Sequence, residues 1–95
     1  MINTVEFTDQ VEKQLKKLPK HIVINFQNWV EDVEERGLFE TRKTPSYHDE
    51  PLKGKLKGLR SIRLSKAYRA YYKIVHGSVQ FVQFIQVERI DKHEY

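Results

Sequence analysis

The sequence contains no cysteine, which excludes disulfides, thiolate zinc sites and cysteine nucleophiles. Glycine is scarce, and Gly54 and Gly58 fit neither GxxxxGK(S/T) nor GxGxxG, so no phosphate-cradling loop is expected. His21, His48, His76 and His93 are scattered with no HxxxH spacing, which argues against a metal site. Ser61, Ser65 and Ser78 lie outside any GxSxG elbow. No apolar run approaches the ~18 residues of a membrane span. Met1 to Asp9 mixes acids into an alternating pattern, unlike a signal peptide. A cytoplasmic chain with no membrane association and no metal or small-molecule cofactor is expected.

What is present is a short, charged chain with enough apolar residues for one core. Its 95 residues, 39% hydrophobic and 12% aromatic, suit one small domain spanning 1–95. The net charge of +4 conceals an asymmetry. Residues 1–50 carry seven Lys/Arg against ten Asp/Glu. Residues 51–87 carry eight cations (Lys53, Lys55, Lys57, Arg60, Arg63, Lys66, Arg69 and Lys73) and no acid. Such a stretch, interleaved with Tyr68, Tyr71 and Tyr72, suits a polyanion if a sheet gathers the charges on one surface.

The apolar pattern predicts an α+β domain. Ile2 to Phe7 reads as a strand. Thr8 is a good helix N-cap, and Val11, Leu15 and Leu18 form one helical stripe. Pro19 suits the first turn of a second helix. Ile22, Phe26, Trp29, Val30 and Val33 carry that helix to Arg36, where Gly37 stops it. These residues read as core. From Leu38 to Gly58 the periodicity dissolves, which predicts a long polar loop holding Tyr47, His48, Asp49 and Glu50. Leu59 to Ser65 and Tyr68 to His76 read as strands, the second closed by a tight turn at His76-Gly77-Ser78. Val79 to Val87, apolar on both faces, reads as a central strand. The expectation is an N-terminal strand, a two-helix hairpin, a three-stranded antiparallel meander and a short C-terminal tail.

Phosphodiester cleavage is the chemistry these side chains could support. Cutting RNA without a metal needs a base for the 2′-hydroxyl proton, an acid for the leaving 5′-oxygen and cations at the phosphate. Glu50 stands directly before the basic stretch, Arg63 and Arg69 lie on the next two strands, and His93 and Tyr95 lie in the tail. If the strands are neighbours, all of them can meet on one face. The structural alternatives are a solvated Glu50, an Arg69 paired with a helix carboxylate, an ordinary tail His93 and a Tyr95 packed on the sheet.

The run Glu50-Pro51-Leu52-Lys53, then Gly58, Arg60-Ser61-Ile62-Arg63-Leu64 and Tyr68-Arg69-Ala70-Tyr71-Tyr72, resembles the RelE superfamily of toxin–antitoxin toxins, with the YoeB-type branch as its closest likeness. The resemblance covers essentially the whole chain. It implies a ribosome-dependent mRNA endonuclease acting in the A site, with the ribosome, mRNA and a cognate antitoxin as partners. It implies Glu50 as general base, Arg63 and Arg69 at the phosphate, His93 as general acid and Tyr95 orienting or stacking the RNA. It also places Lys53, Lys55, Lys57 and Arg60 at the nucleic acid.

The tail departs from the YoeB-type pattern, because Glu94 separates His93 from Tyr95. This leaves Arg89 as an alternative catalytic or RNA-binding cation. A gyrase-inhibiting ParE-type toxin of the same fold is the second functional reading. A nucleic-acid-binding module without turnover is the third.

Overall fold

The computed structural model describes residues 1–87. His93, Tyr95 and Arg89 therefore lie outside the described residues. Strand β1 is Val5–Phe7, helix α1 Asp9–Leu15, helix α2 Lys20–Arg36 and helix α3 Leu38–Arg42. Strands β2 (Glu50–Pro51), β3 (Arg60–Arg63), β4 (Tyr68–Val75) and β5 (Ser78–Gln86) follow. They form one five-stranded sheet in the order β1-β5-β4-β3-β2. All neighbours are antiparallel except β1, which runs parallel to β5.

Local chemistry accounts for the helix boundaries. The Thr8 hydroxyl accepts from the Val11 amide at 3.1 Å and caps α1, satisfying one of the amides the first turn leaves free. Helix α2 ends at Gly37, whose φ of +86° lets its amide close onto the Val33 carbonyl at 2.9 Å. A side chain would be strained at that φ.

The long loop expected from Leu38 to Gly58 is partly ordered. Leu38 and Thr41 are buried, and Thr41 Oγ1 donates to the Gly37 carbonyl at 2.9 Å. Five helical residues are too few to display a period, so α3 escapes sequence reading. The same holds for β2, where Pro51 is tolerated because the strand is at the sheet edge.

The helices cover one face of the sheet. Ile22, Phe26, Trp29 and Val33 of α2 are buried against Ile62, Ala70, Tyr72, Val79, Phe81 and Phe84. Phe81 sits at the centre, 4.7 Å from the Phe26 ring and 5.3 Å from Trp29, both edge-on, an arrangement aromatic quadrupoles favour. β5 is an interior strand, but only one of its faces is packed on the helices. Its doubled apolar pattern comes from a register shift, since Tyr71 pairs with Gln83 while Tyr72 pairs with Phe81. The extra residue lets Phe81 and Phe84, three apart, face the same core. His76 and Gly77, both at positive φ, make the two-residue β4–β5 turn.

Candidate nucleic-acid interface

Alternation along the strands decides which residues share the face opposite the helices. Ile62, Ala70, Tyr72 and Phe81 point to the helices. Their neighbours Ser61, Arg63, Arg69 and Tyr71 therefore lie on the opposite face. The ladder extends this row: Glu50 pairs with Ser61, Ser61 with Tyr71, and Tyr71 with Gln83. Arg63 pairs directly with Arg69, and Arg69 with Ile85. The sheet thus brings Glu50, Arg63 and Arg69 to one face. Lys73, two residues beyond Tyr71, joins them at its exposed end.

Two guanidinium groups side by side on a ladder repel, and here neutral acceptors fix the position of each. Arg69 Nε donates to Ser61 Oγ at 2.5 Å, and its Nη2 donates to the His48 carbonyl at 3.1 Å. Arg63 Nη1 lies 3.4 Å from His48 Nε2. Guanidinium can only donate, so Nε2 is the acceptor in this contact. His48 therefore serves both arginines, one through its carbonyl and one through its ring. Its backbone is left-handed, with φ 46° and ψ 51°, which turns that carbonyl toward the sheet. Neither arginine is paired with a carboxylate among the described residues.

The loop that supplies His48 and Glu50 is fastened to the core on both sides. The Tyr47 hydroxyl donates to Asp32 of α2 at 2.5 Å. Burial and the adjacent Asp32 carboxylate push the Tyr47 phenol up to about 12. Asp49 has a fully buried side chain. One of its oxygens accepts from Arg60 Nε and the other from the Tyr72 hydroxyl, both at 2.6 Å. Burial disfavours the Arg60 cation, but the hydrogen bond and charge of Asp49 outweigh it, and the Arg60 pKa is raised. Burial first, and Asp49 second, raise the Tyr72 phenol well above its ordinary value.

Arg60, expected at the nucleic acid, is instead committed to Asp49 on the helix side of the sheet. The expected general base, Glu50, is exposed at the β2 edge. Lys53, Lys55 and Lys57 are exposed on the β2–β3 connection beside it. Sequence reasoning missed three contributors: His48, Asp49 and Ser61. The only signal was their place next to Glu50 or between two strand arginines.

This is the architecture of the small toxins of toxin–antitoxin pairs. A RelE from a RelE–RelB complex of the archaeon Pyrococcus horikoshii superposes with a TM-score of 0.72 at 23% identity, covering 95% of this chain and 100% of that one. The RelBE2 complex of Mycobacterium tuberculosis gives 0.66 at 25% identity, with 90% and 99% covered. A YoeB–YefM complex of Staphylococcus aureus gives 0.69 at 18% identity, with 93% and 99% covered. No curated protein matches by sequence. Residues 5–93 match the family described as the ParE toxin of type II toxin-antitoxin systems, parDE, and the chain belongs to that family. It is a type II toxin of the ParE/RelE kind.

Proposed function

We propose that this toxin is a ribosome-dependent mRNA endonuclease, of the YoeB-type branch that the Glu50-Pro51-Leu52-Lys53 motif resembles. The observation that carries the reading is the shared face of Glu50, Arg63 and Arg69, with no helix among the described residues layered over it. A paired guanidinium fork suits the non-bridging oxygens of one phosphate. An exposed carboxylate beside it can take the proton of a 2′-hydroxyl. The 2′-oxygen then attacks phosphorus, the 5′-oxygen leaves with a proton from the general acid, and a 2′,3′-cyclic phosphate remains. The resemblance assigns that acid to His93, with Tyr95 or Arg89 beside it. Arg63 and Arg69 stabilise the charge that builds on the phosphate during attack.

An RNA substrate would displace the His48 ring from Arg63 and keep the Ser61 and His48-carbonyl bonds that orient Arg69. Lys53, Lys55 and Lys57 add a salt-sensitive hold on the flanking backbone. The natural partner is a cognate antitoxin whose acidic or amphipathic segment masks this basic face.

Primer extension on a model mRNA with purified 70S ribosomes tests the reading. Discrete A-site cuts are expected with the wild type and a loss of roughly 10²–10⁴ with His93→Ala. Growth arrest without cuts, accompanied by inhibition of purified DNA gyrase, would overturn it in favour of the gyrase reading that the ParE family name suggests.

A further inference from the structure

Arg63 belongs to two places at once. It stands on the face opposite the helices, beside Arg69, and it also lines a separate cleft of ≈ 260 Å³ between α2 and the end of β3. The other walls are Asn25, Asn28, Ser46, Tyr47 and Leu64. We propose that this cleft is a nucleobase subsite, taking the base of one unpaired RNA nucleotide whose phosphate is held at Arg63. The proposal rests on the RNA reading of the face opposite the helices and adds what recognises sequence there.

Size, chemistry and rigidity support it. Pockets for drug-sized ligands run to roughly 300–1,000 Å³, so a cleft just below that range suits a single planar heterocycle. Two carboxamides stand three residues apart on α2, hence on neighbouring turns of one helix face. Each amide offers a donor and an acceptor together, the pairing that reads a base edge. Asn25 is oriented, because its Nδ2 donates to the Leu64 carbonyl at 2.8 Å, which leaves its Oδ1 and second N–H for a ligand. Asn28 is exposed on the rim. Tyr47 contributes an aromatic wall whose hydroxyl is tethered to Asp32, and Leu64 forms a buried apolar floor. A splayed RNA base is recognised by this combination of aromatic surface and edge-reading amides. An inorganic anion would use only the amide N–H groups, and neither the amide oxygens nor the apolar floor.

The test is a ¹⁵N side-chain amide titration of the full chain with each of the four nucleoside 3′-monophosphates, beside inorganic phosphate. The expected result is movement of the Asn25 and Asn28 carboxamide signals with nucleotide but not with phosphate. Affinities should differ among the four bases by roughly fivefold or more, and Asn28→Ala should flatten that difference. Asn28 is exposed, so this variant folds. Equal shifts with inorganic phosphate, or no shifts at these amides, would overturn the subsite. Ribosomal cleavage is read separately. Cuts without base-dependent shifts sink the subsite alone, and base-dependent shifts in a protein that makes no cuts sink the nuclease reading alone.

Discussion

The Tyr72 hydroxyl donates to the buried Asp49 carboxylate at 2.6 Å, tying the loop before β2 to the middle of the sheet across 23 positions of sequence. Arg60 completes the arrangement from the neighbouring strand. This junction lies on the helix side of the sheet, while Glu50, one residue later, emerges on the other side. A buried polar junction thus sets the place of an exposed carboxylate.

Removing Asp49 should therefore be costly. Asp49→Ala leaves Arg60 and Tyr72 without their acceptor and should destabilise the fold by about 3–5 kcal/mol. Urea unfolding should show a lower midpoint with an unchanged slope. A loss below about 1 kcal/mol would mean that water replaces the carboxylate and that the junction does not hold the loop.

The two tethered phenols give the protein an alkaline limit. Both tyrosines have pKa values raised in the folded state, Tyr47 to about 12 and Tyr72 higher still. For an acid whose folded pKa is raised, the stabilisation is complete below the unfolded value near 10. It is lost as pH rises toward the folded value. Absorbance at the phenolate band should show two tyrosines ionising late, with unfolding close behind, and Tyr72→Phe should remove the later one. Ionisation of every tyrosine in one step near pH 10, with the fold intact, contradicts the assignment.

Exposed and tethered site residues should separate activity from stability. Glu50→Gln, at an exposed position, should leave the unfolding midpoint almost unchanged and reduce ribosomal cleavage by roughly 10²–10⁴. Arg69→Lys keeps the charge but cannot reach both Ser61 Oγ and the His48 carbonyl with a planar fork. Its cleavage should fall well below the wild type while RNA affinity changes little. Equal cleavage by Arg69→Lys would show that charge alone suffices there.

The aromatic centre should tolerate truncation poorly. Phe81 is fully buried among Phe26, Trp29 and Tyr72, and Phe81→Ala should destabilise by about 3–5 kcal/mol. Thermal denaturation followed by near-UV circular dichroism would read it, and a midpoint within a degree or two of wild type contradicts the packing described.

By itself the sequence determined whatever depends on short-range pattern. Thr8 and Gly37 mark helix ends because capping is a local matter, and the α2 stripe from Ile22 to Val33 repeats often enough to be read. Alternation from Arg60 to Leu64 already separates Arg63 from Ile62. The run from Glu50 to Tyr72 carries the resemblance to the toxin family because it is read along the chain without the fold. Tertiary structure decided what depends on partners far along the chain. It placed α3 and β2, each too short to have a period, and the β5 register shift that sets Phe81 and Phe84 on one face. It gave Arg60 its partner, since only the folded chain puts a buried Asp49 within 2.6 Å of its guanidinium. It also brought His48 to two arginines 15 and 21 residues away. The burial of a polar group and pairing between distant positions have no local signature, so only the fold could reveal them.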